Sequence, residues 1–149
     1  MRETRWIWLK IFNRGKIIKG KNCYFGRNPE LYIPDYISLG NNVSIGSNWT
    51  SQVNLVIGDD TLISSRVSFI GNDHDLFDIN STSYFSGRLS PATIKLEGNN
   101  FIGFGATILG NITIGKDSLI AAESFVNKNI PPNVIVAGIP AKIIGPRYK

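Results

Sequence analysis

The chain has 149 residues, 42% of them hydrophobic and 18% charged, which fits one globular domain with a real core and excludes a disordered chain. Its net charge of +5 is a local property: residues 1–21 set seven Lys and Arg against Glu3, a local +6 that leaves −1 on the rest. A nucleic-acid binder carries its basic surface on the folded body, so no nucleic acid is expected as a partner. Cys23 is the single cysteine, so no internal disulfide can form; it reads as a small buried apolar residue in a reducing, cytoplasmic setting. No apolar run is long enough for a membrane-spanning helix, and the basic N-terminus lacks the cleavage site of a signal peptide.

In chain order, residues 1–16 come first, with Trp6, Ile7, Trp8, Leu9, Ile11 and Phe12. They are too apolar to stand in water and predict a cap on whatever follows. The same composition beside Lys and Arg also suits weak association of residues 1–21 with a membrane surface. Residues 17–74 then carry a repeat. Leu39, Ile45, Ser51, Ile57, Ile63 and Phe69 fall every six residues, and Leu96, Ile102, Ile108, Ile114, Ile120 and Val126 continue it through 94–131. Gly40, Gly46, Gly58, Gly103 and Gly115 each follow one of these positions.

An amphipathic helix repeats its apolar face at about 3.6 residues, so this period is not helical. It suits an all-β solenoid in which each hexad forms a short flat face and then turns, three hexads closing a triangular coil. Stacked coils pair every backbone group and bury a ladder of aliphatic side chains. Residues 75–93 interrupt the register and predict one protruding loop, of a length that is usually functional. Residues 132–149 predict one or two closing strands. Trp49 falls where a small inward side chain is expected, which predicts either a register shift or an outward ring, against a sugar for instance.

His74 is the only histidine. It stands where the loop leaves the coil, as Asn72-Asp73-His74-Asp75, and imidazole is suited to take a proton near neutral pH while Asp73 or Asp75 orients it. A zinc site would need about three such ligands, so no metal is expected. Nothing resembles an activated Ser or Cys nucleophile.

Residues 57–74, from Ile57-Gly58-Asp59 to Asp73-His74, resemble the segment that ends at the catalytic histidine of hexapeptide-repeat acetyltransferases. That group includes the galactoside, maltose and streptogramin acetyltransferases and polysaccharide O-acetyltransferases. Residues 94–144 resemble the same family more specifically, through Asn99-Asn100-Phe101-Ile102-Gly103-Phe104-Gly105 and Asn127-Lys128-Asn129-Ile130-Pro131-Pro132 to Ala141-Lys142. The resemblance implies a left-handed parallel β-helix, a homotrimer with sites between subunits, and acetyl-CoA as co-substrate. It implies His74 as general base, an oxyanion donor near Gly103-Phe104, and a CoA groove along Phe101, Ala122, Asn127, Lys128 and Lys142. Phe101 replaces a common Trp, Asn127 a common Thr, and Lys142 a common Arg, whose bidentate fork a lysine lacks; Arg147 nearby is expected to compensate. No acceptor-contacting pattern matches around Ser44–Gln52. The implied activity is O-acetylation of a saccharide hydroxyl in surface-polysaccharide synthesis. The alternatives are N-acetylation of an amino sugar and a non-catalytic sugar-binding scaffold.

Overall fold

The protein is described by a computed structural model over residues 15–71 and 73–148. All but the last two residues of the cap expected over residues 1–16, and most of the segment expected at a membrane surface, lie outside the described residues. Five coils follow one another. The first is β1 (Ile17–Lys19), β2 (Tyr24–Phe25) and β3 (Glu30–Leu31); the second is β4 (Ile37–Leu39), β5 (Ser44–Ile45) and β6 (Thr50–Ser51). The third is β7 (Asn54–Ile57), β8 (Leu62–Ile63) and β9 (Ser68–Ile70). The fourth is β10 (Thr93–Leu96), β11 (Phe101–Ile102) and β12 (Thr107–Leu109), and the fifth β13 (Ile112–Ile114), β14 (Leu119–Ile120) and β15 (Phe125–Val126). The chain closes with β16 (Val134–Gly138) and β17 (Ala141–Pro146).

These strands stack into three faces of five, seven and five strands. Face A is β1-β4-β7-β10-β13, face B runs from β2 through β5, β8, β11, β14 and β16 to β17, and face C is β3-β6-β9-β12-β15. Pairing is parallel throughout except for the antiparallel return of β17 on β16. The hexad positions are the inward columns: Leu39, Ile57, Leu96 and Ile114 line up on face A, and Ile45, Ile63, Ile102 and Ile120 on face B, all buried. A six-residue period thus becomes one continuous aliphatic core because each coil places the same position over the last.

Two of the three corners are uniform. Between faces A and B a left-handed backbone recurs at Asn22, Asn42, Asp60, Asn99, Asp117 and Asn133, and between B and C at Asn28, Asn48, Arg66, Gly105 and Glu123. Asn and Asp tolerate that region best after glycine, which is why the chain is Asn-rich. Their side chains also bond up the stack, Asn22 Nδ2 to Asn42 Oδ1 at 3.0 Å and Asn42 Nδ2 to Asp60 Oδ1 at 2.7 Å.

The third corner, between C and A, is where the coils differ. The first coil takes 20 residues to return to its own column and the second 18, the extra two lying between Leu31 and Ile37. The third coil inserts the whole loop there, yet Leu55 still pairs with Ile94 across it. The loop leaves and returns as a short hairpin: His74 and Arg88 form an antiparallel bridge, with Leu89 N–H donating to Asp73 O (2.9 Å) and Asp75 N–H to Gly87 O (3.1 Å). Beyond that base it is apolar and exposed, Phe77 at 96% and Ile79 at 94%.

Trp49 corrects one expectation. The register does not shift, since Thr50 pairs with Ser68 and Ser51 with Phe69, and the ring is not outside but fully buried. The next inward residue, Ser51, is small where neighbouring coils place Leu31 and Phe69. A large and a small side chain have exchanged positions within one coil, so the volume of the layer is kept.

Candidate functional site

His74 is held by the paired base of the loop and is half-buried, with Nδ1 sealed from solvent and without a hydrogen-bond partner. Neither neighbouring carboxylate turns to the ring. Asp73 Oδ1 accepts the backbone N–H of His74 (2.8 Å) and Asp75 Oδ1 that of Phe77 (3.1 Å). Short acidic side chains at the start of a turn cap nearby backbone donors, and here that local role replaces the orienting role expected of either one.

The residues expected along the CoA groove separate into three places. Phe101 lies outward on face B, half-buried, between Leu62 and Leu119. Gly103, Phe104 and Ala122 lie at the B–C corner, where the coils approach so closely that a Cβ on Gly103 would stand 2.4 Å from Ala122 N. The Gly103 N–H donates to Ile120 O at 2.8 Å, so it is a ladder donor and not an oxyanion donor. Among the described residues no hydrogen bond engages the Phe104 N–H, while the Phe104 ring packs under the Arg66 guanidinium at 5.3 Å.

Asn127 and Lys128 belong to the C–A corner of the fifth coil. Lys128 and Lys142 are brought together: both line a pocket of about 200 Å³ with Asn129, Ile130, Pro131, Ala141 and Ile143. Two ammonium groups over an apolar floor suit a phosphorylated ligand with an apolar portion. Arg147 is not part of it. Its Nη1 donates to Asn99 O and its guanidinium lies 5.1 Å over the Tyr148 ring, at the A–B corner, because β17 runs back across face B and carries Arg147 to the far side of Lys142. Arg147 and Lys142 thus stand at opposite ends of β17.

A second cleft, of about 170 Å³, opens on the corner that carries His74 and is lined by Glu30, Tyr32, Gln52 and Arg88. Sequence reading misses it, since its residues come from two coils and the loop. The available signal is the spacing of the first two coils, which sets Tyr32 and Gln52 twenty residues apart at the same corner.

A three-faced parallel β-solenoid, with a histidine at the base of a corner loop and a lysine-lined pocket near its closed end, defines the class of solenoid acyltransferases. No family model matches the chain. The galactoside O-acetyltransferase of Escherichia coli K12 is 32% identical over 143 residues, which covers 91% of this chain and 69% of that protein. The galactoside O-acetyltransferase of Lactococcus lactis is 33% identical over 136 residues, covering 83% and 60%. A solved galactoside acetyltransferase in complex with coenzyme A superposes at a TM-score of 0.81 and 27% identity, over 97% of this chain and 70% of that one. The chain belongs to the hexapeptide-repeat acetyltransferases.

Proposed function

We propose that the chain transfers an acetyl group from acetyl-CoA to a hydroxyl of a saccharide, free or within a polysaccharide, with His74 as the base. The observation that carries this is His74 itself, its backbone bridged to Arg88 at the loop base and its Nδ1 enclosed. A proton on Nδ1 leaves the Nε2 lone pair for the acceptor. Acetyl-CoA supplies the acetyl thioester. Nε2 takes the hydroxyl proton as the acceptor oxygen bonds to the acetyl carbon, and returns it to the sulfur as the carbon–sulfur bond breaks. The Phe104 N–H is the donor assigned to the developing oxyanion. Lys128 and Lys142 take the phosphates of CoA, and the pocket they line fits that role in charge and shape.

His74 sits on the C–A corner, while Phe104 and Ala122 sit on the B–C corner with face C between them. One copy therefore supplies the base and a neighbouring copy the oxyanion donor, an arrangement that a closed cyclic trimer provides. Light scattering is expected to give three copies in solution. Replacing His74 with Ala is expected to lower the rate of thiol release by a factor of about 10²–10⁴, with the Kd for CoA unchanged by calorimetry. A His74→Ala variant turning over like the parent would refute the assignment.

A further inference from the structure

The B–C corner holds one residue that the fold itself does not favour. Its left-handed column runs Asn28, Asn48, Arg66 (φ 60°), Gly105 and Glu123. That backbone costs an ordinary side chain more than it costs Asn or Gly, so Arg66 is held against the preference of the turn. Strain of this kind collects at working sites. Arg66 N–H donates to Ser47 O (2.9 Å), which fixes its backbone one coil before Phe104. Its guanidinium lies over the Phe104 ring, Cζ 5.3 Å from the centroid. Among the described residues no hydrogen bond or ion pair engages that guanidinium, so the ring is its one partner there.

Phe104 stands in a turn that leaves its own N–H free. Ala106 N–H donates to Gly103 O (3.3 Å) and Gly105 has φ 69°, the form of a type II turn with Phe104 at its second position. The peptide beyond Phe104 is held from both sides. Gly105 N–H donates to Ser65 O (3.1 Å), and Glu123 N–H to Phe104 O (2.8 Å). Those bonds fix the backbone but not the rotation of the phenyl ring about its Cα–Cβ bond, which has several staggered positions. In some of them the ring stands beside its own N–H, and in others it leans across the space that the N–H faces. At 42% exposure packing within the chain does not choose among them, whereas a cation against the ring face does.

We propose that Arg66 is a positioning residue for the transfer step: its guanidinium pins the Phe104 ring aside, so that the Phe104 N–H stays open to the thioester oxygen. The inference rests on the Phe104 N–H as oxyanion donor. Arg66→Asn is expected to lower kcat for thiol release about fivefold while KM for acetyl-CoA stays within about twofold. Its urea midpoint is expected to match or exceed that of the parent, because relief of the backbone offsets the lost ring contact. Arg66→Lys keeps a cation and is expected to retain at least about half of kcat. Because the effect passes through the ring, adding Arg66→Asn to Phe104→Ala is expected to change kcat by less than about twofold. Four outcomes overturn the inference: Arg66→Asn turning over like the parent, Arg66→Asn losing midpoint and kcat together, Arg66→Lys as slow as Arg66→Asn, or the two losses multiplying in the double variant. Failure of the oxyanion assignment looks different. Proline suits the second position of a type II turn and has no N–H, so Phe104→Pro is expected to be slower than Phe104→Ala by about 10²–10³. A Phe104→Pro chain as fast as Phe104→Ala would remove the donor itself, whatever Arg66 does.

Discussion

Trp49 is buried with its indole Nε1 unpaired. A buried donor left without a partner costs about 1–3 kcal/mol, whereas the ring itself fills a layer beside a serine. Trp49→Phe removes the orphan donor along with some packing, and is expected to leave the urea unfolding free energy within about 1 kcal/mol of the parent. Trp49→Ala is expected to lose about 3–5 kcal/mol by the same measurement. Glu123 presents a second residue-scale test, because it holds a left-handed backbone (φ 56°) at a corner where the first two coils place Asn. A left-handed backbone costs an ordinary side chain about 1–2 kcal/mol, and Asn recovers part of that; Glu123→Asn is expected to raise the urea midpoint. The sequence shows the inward Ile and Leu columns plainly, since a single period repeats them. It hides Trp49, because a size exchange between two positions looks like a fault when each column is read alone. It also misplaces Arg147, since nearness in the chain to Lys142 says nothing of the direction in which β17 runs.

At the scale of elements, the loop is an addition to a coil that closes without it. The strands before and after it, β7 with β10, β8 with β11 and β9 with β12, pair directly. The single residue Val53 turns the same corner one coil earlier. Removing residues 71–91, so that Ala92 turns the corner as Val53 does, shortens a loop whose closure entropy changes only slowly with length. The melting temperature is expected to hold within a few degrees while thiol release is lost, because His74 and Arg88 leave with the loop. A collapse of the circular-dichroism melt would show instead that the loop supports the stack. That one long loop exists is legible from the break in the hexad register. What it builds is not, since the cleft needs Glu30, Tyr32 and Gln52 from coils far earlier in the chain, and no local pattern announces that juxtaposition.

For the whole molecule, the separation of His74 from Phe104 and Ala122 onto different corners has a direct consequence for mixed assemblies. A His74→Ala chain and an Ala122→Trp chain, each inactive alone, are expected to regain thiol release when unfolded together and refolded. In that mixture a neighbour supplies the intact corner to an intact histidine. Separate refolding followed by mixing at low temperature provides the control, and no recovery in the co-refolded sample would place the entire site within one copy. The antiparallel turn from β16 into β17 bears on a different hazard. Every earlier strand presents an edge on which another parallel strand can be laid, so a solenoid that simply stopped at β16 would offer a template for end-on growth. By reversing direction, β17 sets a strand of the wrong polarity at that edge and finishes it with Pro146, which has no N–H to donate. The hairpin acts as a chain terminator for polymerisation, and a chain cut after Gly138 is expected to form concentration-dependent fibres that bind thioflavin.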